Sequence, residues 1–292
     1  MLKIVERTKV WFAISAIVII LGIIALGVKG LNYGIDFQGG TVVTIEMGKN
    51  FNQQIKEEAD KIIKKYDSQA STYIANETQL EIKSNSLNSD SISKMFNELK
   101  GKYKLEEKAL LSQSNVGPSV GNELKKKTIN ALLVATAAML IYVGFRFEIK
   151  FGIAAILALV HDVLVTLGVY AIFQVPVNSP FIAAMLTIIG YSINDTIVIF
   201  DRIRENRKKM RGKDITEIVN TSVTQTMSRS INTSLTTLVT IVAVYIFVPS
   251  VREFAFPLII GIVSGAYSSI FVASPIWVLL KNAGKKGKKA AA

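Results

Sequence analysis

The chain contains no cysteine, which excludes disulfides, thiolate nucleophiles and cysteine-ligated zinc. It has a single histidine, His161. One imidazole with scattered carboxylates does not make a zinc set, so no metal site and no cofactor are expected. There is no G-x-x-x-x-G-K-[ST] phosphate loop and no G-x-S-x-G elbow. With no ATPase or hydrolase signature, the chain reads as a non-enzyme, and any transport must draw on an ion gradient or a separate subunit. Charge is also missing from long regions. Six stretches, 10–28, 128–145, 151–173, 181–200, 230–249 and 254–280, are uncharged or nearly so. Each is long enough to cross a bilayer as a helix, at about 1.5 Å per residue. Half of the 292 residues are hydrophobic, as expected for a membrane protein with one water-exposed domain.

The net charge of +12 raises the question of nucleic acid, and its distribution answers it. If the N-terminus is cytosolic and the spans alternate, the inner segments 1–9, 146–150, 201–229 and 281–292 carry 18 Lys/Arg against 6 Asp/Glu. The outer segment 29–127 carries 15 against 13. The excess sits on one side, which is the positive-inside bias, and no nucleic-acid partner is needed. The Lys-rich tail (Lys281, Lys285, Lys286, Lys288, Lys289) gives only a weak hint of ribosome or RNA binding. Lys125-Lys126-Lys127 falls on the outer side and reads as an interfacial anchor. The first apolar run follows Lys3, Arg7 and Lys9 as a signal peptide would. Its 19 uncharged residues exceed the usual signal-peptide core, so a retained anchor is expected.

The predicted fold is a polytopic α-helical membrane protein with six transmembrane helices and a small α+β, ferredoxin-like extracytoplasmic domain. Its parts are an N-tail and first span (1–28), the α+β domain (29–127), a five-helix bundle (128–280) with a cytosolic loop (201–229), and a basic tail (281–292). In the outer domain, 41–47 reads as a strand and 51–66 as an amphipathic helix. Short strands 71–75 and 79–83 flank a turn at Asn76-Glu77-Thr78, followed by a helix at 89–99 and a last strand at 103–111. That β-α-β-β-α-β order is ferredoxin-like. Residues 114–121 read as a Gly/Pro breaker, and Ile215, Ile218 and Val219 as a short surface helix.

The chemistry concentrates in the spans. Asp195 lies inside the fourth, about 9 Å in from Asp201 at 1.5 Å per residue. Thr187, Tyr191, Asn194, Asp195 and Val198 share one helical face. A carboxylate at that depth costs a few kcal/mol or more to bury, and such residues usually mark ion or proton paths. Burial and a nearby cation act on it in opposite senses, a competition that suits a proton carrier; the alternative is a fixed structural hydrogen bond. Arg229 opens the fifth span above a polar stripe of Asn232, Thr233, Thr236 and Thr240. It either pairs with Asp195 or snorkels to the headgroups. His161 and Asp162 in the third span are either relay members or a buried hydrogen-bonded pair. Gly261 and Gly265 form a G-x-x-x-G that would admit another helix. Asp36 lies among Gly34, Gly39 and Gly40, which suggest tight turns.

Four motifs then coincide in order: Gly34-Ile35-Asp36-Phe37-Gln38-Gly39-Gly40-Thr41, Val116-Gly117-Pro118-Ser119-Val120-Gly121, Gly190-Tyr191-Ser192-Ile193-Asn194-Asp195-Thr196 running on to Asp201-Arg202-Ile203-Arg204-Glu205, and Ser228-Arg229-Ser230-Ile231-Asn232-Thr233-Ser234. By these the chain resembles the SecF family of protein-export subunits, within the resistance–nodulation–division superfamily. Gln38 stands where the family often has Thr, as does Ser230. The resemblance implies a SecD partner supplying a second six-helix half with a further essential acid. It also implies the SecYEG channel and a translocating preprotein as partners, the plasma membrane of a prokaryote as the location, and cytosolic termini. It implies proton flow past Asp195 and Arg229, with Asn194, Thr233, His161 and Asp162 as further pathway candidates, and Asp36, Gly39, Gly40, Asp201 and Arg202 as family-motif positions. Some relatives use sodium. The competing expectations are a non-conducting scaffold of the Sec machinery and half of an exporter of the same superfamily.

Overall fold

The structure, a computed structural model, describes residues 2–48, 51–146 and 148–290, with positions 118, 140 and 284–290 described by backbone alone. The side chains of Lys285, Lys286, Lys288 and Lys289 thus lie outside the described residues. Among the described residues, six helical segments are long and apolar enough to cross a membrane. The first is α1 (Thr8–Lys29), bounded by Lys9 and Lys29 and ending at Gly30, whose φ of 69° terminates the helix. After the short α2 (Ile35–Gln38) comes the extramembrane domain: β1 (Gly40–Glu46), α3 (Gln53–Tyr66), β2 (Ser71–Ala75), β3 (Gln79–Ser84), α4 (Ser89–Tyr103) and β4 (Leu110–Val116). The remaining spans are α5 (Pro118–Arg146), α6 (Ile149–Phe173), α7 (Ser179–Lys209), α8 (Ile215–Phe247), and α9 (Arg252–Ser268) joined through a π-helical segment (Ser269–Ala273) to α10 (Ser274–Ala290).

The sheet is fully antiparallel in the order β2-β3-β1-β4, the ferredoxin-like topology. Val43, Ile45, Leu80 and Ile82 project from one face and pack on Ile62, Ile63, Ile92, Met95, Phe96 and Leu99. Asn52 and Asn88 cap the two helices by accepting from Ile55 N at 3.0 Å and Ser91 N at 2.8 Å. The β2–β3 hairpin turns through Asn76 and Glu77, both with positive φ, as such a tight turn demands.

The last strand is displaced from its expected place. Tyr103 ends α4, and the strand covers Leu110–Val116, absorbing the first part of the expected breaker. The reason is that β4 is an edge strand. Ser112 to Asn115 are exposed, so no apolar alternation marks it. The expected surface helix around Ile215 is instead the first part of one long helix, α8. Ile215, Val219 and Val223 are buried in the bundle's main apolar cluster rather than lying on a membrane surface.

Small residues set the closest helix contacts. Gly22 of α1 meets Gly168 of α6 so tightly that a Cβ on either would lie 2.8 Å from the other's Cα. Gly261 and Gly265 of α9 sit against Ile188 and Ser192 of α7, the close approach expected of that motif. By contrast α5 leaves Ile129, Leu133, Val134, Ile141 and Phe145 exposed along its length.

The extramembrane domain is tied to the bundle through the Gly34–Gly40 turn. Gly34 N donates to Val177 O and Val177 N to Asn32 O, both at 2.8 Å. Gly34 presses on the Asn178 side chain, which leaves no room for a Cβ. Gly40, at φ 152°, is likewise closed in by Ser84 O and Ile35.

Candidate functional site

Two aspartates are buried within the spans, and their surroundings differ. Asp195 of α7 is 8 % exposed. Its Oδ1 accepts from Ser230 Oγ of α8 at 2.8 Å, while its Oδ2 has no hydrogen-bond partner among the described residues. Ser234, one turn beyond Ser230 on the same face of α8, also has a buried hydroxyl without a partner. Buried polar atoms are nearly always paired, so two orphans at one helix interface stand out; the other two among the described residues, Asn178 Oδ1 and Trp277 Nε1, lie elsewhere.

Arg229 is exposed and forms no ion pair with Asp195, so of its two expected roles the direct pairing is absent here, although its charge stays within electrostatic reach. It lines a cavity of about 370 Å³ between α7 and α8, with Val198, Asp201, Arg202, Glu205, Gln225 and Thr226. Val198 is one turn from Asp195, so this cavity reaches to within a turn of the carboxylate. Asp201 and Arg202 are engaged at its rim: Asp201 pairs with Arg204 at 3.2 Å and Arg202 with Glu205 at 3.0 Å. Asn194 and Thr187 are exposed on the outer face of α7, beside exposed Asn232, Thr233, Thr236 and Thr240 of α8. Thr233 donates back to its own helix, to Arg229 O at 2.9 Å and Ser230 O at 3.1 Å.

Asp162 of α6 is fully buried and fully satisfied. Its Oδ1 accepts from Ser264 Oγ at 2.6 Å and faces His161 Nδ1 at 3.1 Å. Its Oδ2 accepts from Ser192 Oγ at 2.6 Å and Ser268 Oγ at 2.7 Å. These bonds join α6, α7 and α9, and His161 Nε2, 3.0 Å from Ser15 Oγ, adds α1. Beside them, Thr196 Oγ1 lies 2.8 Å from Ser269 Oγ at the start of the π-helical segment, whose irregular backbone needs such side-chain support. Among the described residues no hydrogen bond links the His161–Asp162 cluster to Asp195, so the two candidate groups stand apart. The sequence reading missed the serine cage. Its signal was Ser264 and Ser268, spaced i, i+4 in an otherwise apolar helix.

Asp36 has a defined partner. Its Oδ2 accepts from Ser179 N at 2.8 Å, at the first residue of α7. A carboxylate there satisfies a free amide and faces the positive end of the helix. Gly39 and Gly40, both at positive φ, carry the chain from this cap into β1. A second tie was not foreseen. Glu253, at the start of α9, accepts from Asn178 Nδ2 at 3.1 Å and pairs with Lys83 of β3 at 3.5 Å. Burial, and then the charge of Glu253, push the Tyr73 phenol of β2 upward. Helix α7 thus runs unbroken from a cap on the extramembrane domain to Asp195, about 24 Å further along its axis at 1.5 Å per residue.

A bundle of six apolar spans, one carrying a half-satisfied acid and joined to a ferredoxin-like domain, defines a polytopic membrane protein. Residues 95–283 match the family described as protein export membrane protein SecD/SecF, C-terminal, and residues 24–50 match the SecD/SecF GG motif. The chain belongs to the SecD/SecF family of protein-export membrane proteins, as a translocase subunit of the SecF kind. It is 41 % identical to the protein translocase subunit SecF of Desulfurispirillum indicum, over 91 % of this chain and 87 % of that one. It is 40 % identical to the SecF of Sebaldella termitidis, over 99 % and 94 %. The crystal structure of SecDF in its super-membrane-facing form superposes with a TM-score of 0.80 at 35 % identity. That match covers all of this chain and 40 % of the SecDF chain, so this chain corresponds to less than half of the fused protein.

Proposed function

We propose that this chain is the SecF half of a SecD–SecF pair that uses the proton gradient to assist preprotein movement through the SecYEG channel. The observation that carries the reading is Asp195, buried in a span with one carboxylate oxygen bonded and the other without a donor. In this reading a proton adds to Asp195 Oδ2 from one side of the membrane and leaves through the cavity lined by Arg229, Asp201 and Arg202 on the other. Ser230 holds Oδ1 throughout. Arg229, near but not bonded, favours the ionised form without locking it. The gradient supplies about 2.3 kcal/mol per charge per 100 mV.

In this reading the termini and the 201–229 segment face the cytosol and the α+β domain faces out, in keeping with the positive-inside bias. The exposed polar faces of α7 and α8 cannot rest against lipid and are covered by the six-span half of SecD. A protonation change at Asp195 alters the seating of α7 between α8 and α9, and the Asp36 cap passes the change to the outer domain, which holds or pulls the emerging preprotein.

The test is gradient-dependent export in membranes carrying the chain and its partner. Asp195→Asn should abolish the gradient-dependent part while leaving expression and assembly intact. If the assembled variant still exports in response to the gradient, the coupling reading fails and a passive assembly role replaces it.

A further inference from the structure

At the basic end of the bundle, away from the extramembrane domain, a groove of about 470 Å³ opens between the N-terminal segment, α8 and the π-helical segment. It is lined by two cations, Lys3 and Arg7, and by the apolar Leu2, Trp11, Met227 and Phe271. The walls are fixed. The backbone amides of Ile4 and Val5 both donate to Asn220 Oδ1 at 3.1 Å, and Leu2 N donates to Thr224 Oγ1 at 3.0 Å. Trp11 Nε1 donates to Ile4 O at 3.2 Å, and its ring lies 4.3 Å from that of Phe271 between centroids.

The cations of the groove are not paired off. Lys3 and Arg7 form no ion pair among the described residues. Glu6, between them in sequence, keeps its charge but is turned to Asn220, whose Nδ2 donates to both its oxygens at 3.0 and 2.8 Å, so Lys3, Glu6 and Arg7 together are net +1. Two cations without ion-pair partners among the described residues thus share a groove with Trp11, Met227 and Phe271, next to the start of the first span. Basic pockets between spans on that side suit anionic lipid headgroups, and an interfacial Trp marks the boundary.

We infer that this groove binds one anionic phospholipid, its phosphate on Lys3 and Arg7 and an acyl chain along Trp11, Met227 and Phe271. This needs only that the bundle sits in a membrane and is independent of the coupling role of Asp195.

The chain contains two tryptophans, and Trp277 is fully buried, so lipid contact is reported by Trp11. The full chain in neutral vesicles is titrated with phosphatidylglycerol or phosphatidylcholine bearing brominated acyl chains, and tryptophan quenching is read. Phosphatidylglycerol should quench at a markedly lower mole fraction. The preference should fall about fivefold for each cation removed and vanish in Lys3→Gln/Arg7→Gln. Trp11→Phe should lose the lipid-dependent signal, whereas Lys208→Gln/Lys209→Gln, which removes two charges elsewhere on the basic face, should keep the preference. Asp195→Asn should quench like the wild type, so this test and the export test fail separately. Equal quenching by both lipids, a preference that survives in the Lys3/Arg7 variant or disappears in the Lys208/Lys209 variant, or no quenching by either lipid because protein fills the groove, would each overturn the inference.

Discussion

Asp162 and Asp195 lie in the same bundle, are buried to a similar degree, and both contact a serine on a neighbouring helix. Their difference is in what completes the shell. Three hydroxyls and an imidazole surround Asp162 and tie four helices together. One hydroxyl touches Asp195, and its second oxygen has no partner among the described residues, with the cavity of about 370 Å³ a helical turn away. A filled shell fixes a carboxylate in one state, because any change must break several bonds at once. An open shell leaves the state free to change. Burial alone does not distinguish the two acids; the number of donors around each does.

Four further experiments sharpen or break that contrast. The largest effect should come from exchanging the roles. Asp195→Asn is expected to cost under about 1 kcal/mol of stability, the scale of one interhelical bond, while abolishing gradient-dependent export. Asp162→Asn is expected to lose about 2–4 kcal/mol, since the amide NH₂ cannot accept from the hydroxyls that now donate to Oδ2. Thermal unfolding in detergent compares the two, and an Asp162 variant as stable as the wild type would break the contrast. Asp36→Ala removes the cap of α7 and should cost about 1 kcal/mol. It should also weaken export without touching the intramembrane acid, which export and unfolding measured together would reveal. Ser230→Ala takes the one donor from Asp195 and should cost about 0.6 kcal/mol of stability. Its larger signature should be a shifted pH profile of export, and an unmoved profile would mean that Ser230 does not hold the working carboxylate.

The smallest effect should be at the surface. Glu148, between α5 and α6, pairs with Arg207 at 2.8 Å and Lys281 at 2.9 Å. Burial opposes its charge, but hydrogen bonds and charge from Lys281 and Arg207 more than offset this, so its carboxyl lies below the ordinary 4.5. A carboxyl lowered by folding stabilises the protein fully above its unfolded value. That contribution fades as acid takes the pH down through the folded one. Glu148→Gln should therefore cost a small amount of stability at neutral pH, leave stability below the folded value nearly unchanged, and flatten that part of the acid-side decline, as thermal unfolding across pH would show.

The spans and the ferredoxin-like order were legible because hydrophobic length and strand–helix alternation are local signals. Asp195 was legible because one charge in an apolar run stands out. The edge strand Leu110–Val116 was not, because its polar, solvent-facing residues carry no period. The serine cage of Asp162 was hidden because its members come from three helices and each serine alone is unremarkable in an apolar span. The Glu253–Asn178–Lys83 junction was hidden for a related reason, since it joins residues far apart in sequence at the domain boundary. Arg229 shows the limit of reading pairs from helical registers. The spacing brought it near Asp195, but its side chain lines a cavity instead of closing a salt bridge.

The contact of Gly265 with Ser192 gives α7 unequal arms. Taken as a fulcrum, it lies about 5 Å along the axis from Asp195 and about 20 Å from the first residue of the helix, at 1.5 Å per residue. A rigid tilt about that point moves the Asp36 end roughly four times as far as the acid. In the coupling proposed above, a sub-ångström adjustment around one carboxylate would be geared up to ångströms at the base of the outer domain.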